Sequence, residues 1–403
     1  EESTETPMLN QQDDRRKIIK TLILAGFGIQ LIGCTTPTED DPIAKKNTEK
    51  VIDEIEQAIK TNNVTYLTNQ DEKFDELATY FNRFTQKSPA IIALVMNADG
   101  ISEAILHAKA LKLPVAVKSG GHSFEQFSSN NGGMVINLSL LNKIEWLENN
   151  LVKIGPACLL KEMYDELLPK QRILPAGSCG TVGVGGLTLG GGYGFFARKY
   201  GLTCDNLIAS TFVDGNGKIH ELSDDHELLW ALRGGGNGNF GVVSSFTFKT
   251  HPIPQHFSYT RFKAKNLDTE RAKLLLETWF EYAHQLPEDC FSAFVLNGQS
   301  LTVLITHFEQ ESSELSNLIS ALTPICDSVT SKRNTNIADA LKNYYGIQKP
   351  IYFKNASAGY YSTFEDVSGC IEQVLEKVVS TPGLIYQVNT LGGAINSSQH
   401  GSK

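Results

Sequence analysis

The sequence lacks paired cysteines. Its seven cysteines form no CxxC pair and no metal-ligand spacing, which argues against a structural zinc site. It also lacks an excess of basic residues. Thirty-six Lys and Arg stand against 45 Asp and Glu, a formal net charge of −9, which argues against a nucleic-acid binder, since that needs a basic face. No GK[ST] occurs, and no GxGxxG opens a helix within a βαβ pattern, which sets aside P-loop and Rossmann sites. Internal repeats and low-complexity stretches are absent. No apolar run is long enough for a good membrane span; the longest is broken by Lys20. What is present is globular composition, 41% hydrophobic and 20% charged over 403 residues, enough for two domains.

The N-terminal region has the order of an export signal. In RRKIIKTLILAGFGIQLIGC (15–34) basic residues precede an apolar run that ends on small residues. LIGC resembles a lipobox, which makes Cys34 the expected acylated residue, and DRRKIIK resembles a twin-arginine signal. The polar, proline-containing stretch 34–47 then reads as a tether. An exported chain, periplasmic or at the cell surface and held to a membrane through Cys34, is the expectation, with the body itself soluble.

Hydrophobic periodicity predicts helices over 48–61, 101–111, 159–168 and 225–232. Strands are predicted at 90–95, 114–117, 134–139 and 151–156. DGNG joins 207–213 to 218–222 as a hairpin, and VVSSFTF adds another strand. From about residue 255, strand runs (SYTRFKA, CFSAFVL, LTVLITHF) alternate with helical runs at 267–284, 311–323 and 363–378. The predicted class is α+β, with a second domain built as an antiparallel sheet covered by helices. The expected divisions are signal 1–33, tether 34–47, first domain 48–254 and second domain 255–403.

Glycine is concentrated. Nine of the eighteen residues in GSCGTVGVGGLTLGGGYG (177–194) are glycine, and KSGGHS (118–123) and GGGNGNFG (234–241) have the same character. Such density costs chain entropy that no regular element requires. Any one loop alone reads as a tight turn between short strands. Three together point to backbone amides lining a large phosphate-bearing ligand.

Between Pro89 and Pro252 the pieces VKSGGHS, MVINLSLLNKI, LPAGSCGTVGVGGLTLGGGYG, ARKYGLTCDNL and ELLWALRGGGNGNFGVV occur in order. This span resembles the FAD-binding domain of the vanillyl-alcohol-oxidase/PCMH flavoproteins, and within them the berberine-bridge-enzyme-like FAD-linked oxidases. The resemblance implies FAD as cofactor. It implies that Lys118, Ser119, Gly120, Gly121, His122 and Ser123 wrap its diphosphate and that His122 bonds the flavin covalently. Lys118 stands where arginine is usual. Cys179 matches the position of a second covalent link in some members, but CGTVG replaces their CPTVG, and the second link is left open. Gly177, Thr181, Val182, Gly183, Gly185, Gly186 and Gly190–Gly192 would line the cofactor, with Val182 small enough to admit oxygen. Val242 and Val243 match a strand beside the ring or adenine. Trp230 and Arg233 read as packing residues.

The implied chemistry is hydride removal from an alcohol, sugar or amine-type C–H, with a small-molecule substrate, oxygen as acceptor and hydrogen peroxide as product. Family bases are often tyrosines, so Tyr193, Tyr352, Tyr360 and Tyr361 are candidates by residue type, although each also reads as a packed residue; the base is unassigned. In the family the chain continues past the position of GGAINSS into a segment that closes over the flavin. This sequence ends at QHGSK, so an incomplete, C-terminally truncated substrate domain is expected. Two alternatives therefore stand: a flavin-binding chain without turnover, and a membrane-tethered dehydrogenase with a non-oxygen acceptor.

Overall fold

The computed structural model describes residues 63–397, apart from 225, 309, 310 and 358. The export signal, the tether, Cys34 and the helix expected over 48–61 lie outside the described residues.

The first sheet comprises β1 (Val64–Leu67), β2 (Ile91–Val95), β3 (Val115–Lys118) and β4 (Met134–Asn137), in the order β1-β2-β4-β3. β2, β4 and β3 run parallel, and β1 is antiparallel to β2. IIALV and MVIN are continuous apolar runs because both faces of a parallel sheet are covered. Helix α1 (Ala98–Ala110) leads from β2 towards β3. The Asn97 side chain caps its start by accepting from the Gly100 N–H. Ile101, Ala104, Ile105 and Ala108 form its buried face.

A second, antiparallel sheet has the order β5-β6-β10-β8-β9: β5 (Ile144–Trp146), β6 (Leu151–Ile154), β8 (Leu207–Asp214), β9 (Ile219–Leu222) and β10 (Gly241–Lys249). The DGNG turn forms as predicted: Asp214 Oδ1 accepts from the N–H groups of Asn216 and Lys218, and Gly217 has φ +78°. A small pair, β7 (Arg172–Ile173) with β11 (His251–Pro252), lies apart from it. Helix α2 (Leu160–Leu167) precedes the glycine-rich stretch 177–194, and α3 (Val184–Leu189) lies within it.

The third sheet is antiparallel throughout, in the order β15-β12-β14-β13-β16. Its strands are β12 (Phe257–Ala264), β13 (Cys290–Asn297), β14 (Ser300–His307), β15 (Ser328–Thr335) and β16 (Ile385–Asn389). Helices α4 (Thr269–Ala283), α5 (Ser313–Leu322) and α6 (Glu365–Ser380) cover one face. There Phe262, Phe294 and Val303 from the strands meet Leu276, Trp279, Leu318 and Leu375 from the helices. Each large apolar side chain buried here contributes about 1.5–3 kcal/mol. Asp268 caps α4 and Ser312 caps α5, each accepting a backbone N–H of the first turn. The α+β class and the helix-covered antiparallel sheet are thus as predicted.

β15 departs from expectation. SVTSKRNT has no apolar alternation and was read as no element, yet it pairs with β12 as an exposed edge strand. Its Lys332 and Arg333 keep that edge from recruiting another strand. The other face of the third sheet turns toward the glycine-rich region. Phe257, Phe291 and Phe308 share one core with Phe195, Phe196 and Val184.

Candidate functional site

The three glycine-rich loops meet. A Cβ on Gly120 would lie 2.4 Å from the Gly183 nitrogen, and one on Gly183 would lie 2.6 Å from the Gly120 nitrogen. Only glycine at both positions lets the first loop touch the second. The second loop meets the third where the Gly236 N–H donates to the Leu189 carbonyl at 2.9 Å and where Gly234 approaches Gly191. Ser119 donates to the Pro156 carbonyl at 2.6 Å, fixing the first loop at the end of β3.

Loop 118–123 leaves its amides open. The N–H groups of Gly120, Gly121, His122 and Ser123 meet no acceptor among the described residues. Four successive amides without an intrachain acceptor form a cradle for anionic oxygen. His122 Nε2 lies 2.9 Å from Thr181 Oγ1, and its ring stacks on Phe81 with centroids 4.0 Å apart. Burial lowers its pKa to about 4, so the imidazole is neutral at ordinary pH. With Nε2 on Thr181, Nδ1 is the nitrogen left free to form a bond.

Phe81 was not foreseen. Its N–H donates to the Gly121 carbonyl at 3.0 Å, and its stretch has no periodicity to mark it. Lys118 holds that stretch. Its buried ammonium donates to the carbonyls of Leu77 and Thr79 at 2.6 and 2.8 Å and lies 4.7 Å from the Tyr80 ring centre. In this structure the charge of that side chain goes to backbone carbonyls.

A cleft of about 480 Å³ opens between the second loop and the third sheet. Ser178, Tyr193 and Phe195 form one wall; Arg261, Phe291 and Asn389 belong to the other. Tyr193 donates to the Thr390 carbonyl, and burial raises its pKa. Loop 178–181 joins cradle and cleft: Ser178 lines the cleft and Thr181 touches His122. Cys179 lies between them, an exposed free thiol whose surroundings raise its pKa. Gly346 faces it, since a Cβ there would sit 3.5 Å from Cys179 Sγ.

Residues 89–223 match a family model described as a FAD binding domain. The chain is 38% identical over 196 residues to an uncharacterized FAD-linked oxidoreductase of Bacillus subtilis (strain 168), YgaK, covering 47% of this chain and 44% of that protein. It is 36% identical over 226 residues to Berberine bridge enzyme-like 12 of Arabidopsis thaliana, covering 54% and 42%. Over residues 89–223 the chain carries a FAD-binding domain similar to that of the berberine-bridge-enzyme-like proteins. A solved glucooligosaccharide oxidase from Acremonium strictum, described with a 6-S-cysteinyl, 8α-N1-histidyl FAD, superposes with a TM-score of 0.66 at 26% identity, covering 75% of this chain and 65% of that one. The chain spans less than half the length of these two curated relatives.

The residues present fit FAD: open amides for a diphosphate, and a neutral imidazole with one free nitrogen. Other expected positions fall differently around the FAD-binding domain. Val242 and Val243 are both buried in apolar cores on opposite faces of β10, so their side chains are committed to packing. Trp230 was expected to pack and is instead 55% exposed. Arg233 does pack, donating to the Leu207 carbonyl and pairing with Asp224. Tyr352, Tyr360 and Tyr361 are exposed rather than packed and do not line the cleft. Gly177, Gly185, Gly186 and Val182 lie in or beside the second loop; Val182 packs partly against the main core. Among the described residues no group of His, Cys, Asp or Glu is arranged to hold a metal, and no helix is long and apolar enough to cross a membrane.

Proposed function

We propose that the chain is a FAD-linked oxidoreductase acting on a small alcohol, sugar or amine in the cleft, with its cofactor tethered to His122. The observation that carries this is loop 178–181, which places one wall of the cleft and the partner of His122 within four residues. Bound FAD would supply a two-electron acceptor for the hydride of a substrate C–H, and oxygen as final acceptor would give hydrogen peroxide. The amides of Gly120–Ser123 hold the diphosphate. Thr181 and Phe81 fix the His122 ring, and Thr181 occupies Nε2 so that Nδ1 makes the tether. Tyr193, whose hydroxyl already donates to Thr390 and whose pKa is raised, orients substrate instead of accepting its proton. Cys179, at the junction of cradle and cleft, is the position for a second link. The division into a FAD half, 48–254, and a substrate half, 255–403, belongs to this reading.

The test is a visible spectrum of purified protein before and after acid precipitation. Yellow colour that stays with the pellet and is lost in His122→Ala supports the tether. Colour that washes out of the native protein overturns it. Peroxide release on a panel of sugars and alcohols tests oxygen as the acceptor. We further propose export with a lipid anchor on Cys34, from the order of charge, apolar run and LIGC; undiminished membrane association of Cys34→Ser overturns that.

A further inference from the structure

The charge of the cleft is opposite to that of the chain. Acidic residues outnumber basic ones 45 to 36 overall, yet the cleft lining contains Arg261 and Lys263 and no Asp or Glu. Strand alternation explains the placement. Phe262 and Ala264 of β12 point to the helices and are buried, so Arg261 and Lys263 point the other way. Their cross-strand partners on β14 are Leu304 and Thr302, both in the lining and both uncharged. On the opposite side β12 faces β15, which places Lys332 beside Tyr259 and so adds a third cation to this face.

Among the described residues neither Arg261 nor Lys263 nor Lys332 makes an ion pair. Arg261 lies 5.7 Å from the Tyr259 ring centre. An aromatic neighbour of that kind orients a guanidinium, and Tyr344, also in the lining, lies close beside it; the planar fork of donors matches a carboxylate. The cation pair sits on the sheet wall, whereas the amide cradle lies in loop 118–123, so the pair is not needed to explain diphosphate binding. Gln387, which donates to Asn389 at 3.0 Å, completes a polar rim on the same face.

We infer that the cleft selects substrates bearing a carboxylate, docked on Arg261 and Lys263, with the oxidisable carbon directed to loop 178–181. This rests on the oxidoreductase reading and adds its substrate class: an acidic sugar or a hydroxymethyl-bearing aromatic acid rather than its neutral counterpart.

The test uses two matched pairs on the purified chain: cellobiuronate with cellobiose, and 4-(hydroxymethyl)benzoate with 1,4-benzenedimethanol. Equilibrium binding is read by calorimetry. The acid of at least one pair is expected to bind about tenfold or more tighter than its neutral partner, and only the acid should weaken with added salt. Arg261→Gln and Lys263→Gln should each weaken the acid about tenfold while leaving the neutral partner unchanged. Equal affinity within both pairs, or acid binding unmoved in the double variant, overturns the inference. A cellobiose 6′-sulfate arm that binds more tightly than the uronate overturns the carboxylate assignment. Anaerobic bleaching of the flavin is followed in parallel. Selective acid binding without bleaching supports the cleft assignment and counts against the oxidoreductase reading alone.

Discussion

At the scale of single residues, two half-buried histidines make the fold sensitive to acid. Burial lowers the pKa of both His107 and His122 to about 4, against about 6.5 in the unfolded chain. Between these values the unfolded state binds more protons, so stability falls as pH drops from about 6.5 to 4. Neither ring nitrogen of His107 has a hydrogen-bond partner, which makes it the cleaner probe. His107→Leu should flatten the fall of Tm over this window, and a slope identical to that of the native chain would show that His107 contributes nothing. Lys118 makes a second test. Lys118→Met leaves the carbonyls of Leu77 and Thr79 without their donor and releases the stretch that carries Phe81. Covalent flavin per protein should drop several-fold, with Tm lowered by several degrees for a loss of about 1–3 kcal/mol. His122 was legible because it follows a double glycine in the dense motif KSGGHS. Phe81 and the true partners of Lys118 were not, because contacts across forty residues leave no local pattern.

Elements carry a different kind of constraint, that of close approach. Gly120→Ala forces a Cβ to within 2.4 Å of the Gly183 backbone, where no side-chain rotation relieves the clash. The loops must part, and the expected result is soluble protein that purifies colourless; a fully flavinylated variant would contradict the contact. In the third sheet Trp279→Ala removes a buried ring and the indole donor to Ser292 Oγ at 2.8 Å. Urea unfolding should show a loss of about 3–5 kcal/mol. The strands and helices of this sheet were readable because half-buried elements alternate with the period of their own geometry. β15 was unreadable for the complementary reason: almost every side chain is exposed, so pairing with β12 alone makes it a strand. The cleft wall was written in β12 all along, since Tyr259, Arg261 and Lys263 alternate with buried Phe262 and Ala264. Reading it required knowing that a second body of protein faced the polar side.

For the whole molecule, the decisive joint is that between the glycine-rich region and the third sheet. Buried Arg198, on the short helix Ala197–Tyr200, donates to the carbonyls of Leu286 and Leu391, and Tyr193 donates to that of Thr390. Arg198→Met should therefore lower the urea midpoint and separate the unfolding followed by flavin colour from that followed by far-ultraviolet circular dichroism. Coincident transitions in the variant would show that the shared aromatic core holds the parts together unaided. The sheet itself has two unlike faces. Helices α4, α5 and α6 are packed against one, and the residues opposite them line the cleft. A substitution at 261, 263, 302 or 387 thus alters the chemistry offered to a ligand while the interdigitated side keeps its shape. Descendants of such a sheet can drift from one diet to another by point changes along alternate positions, with little risk to folding at each step.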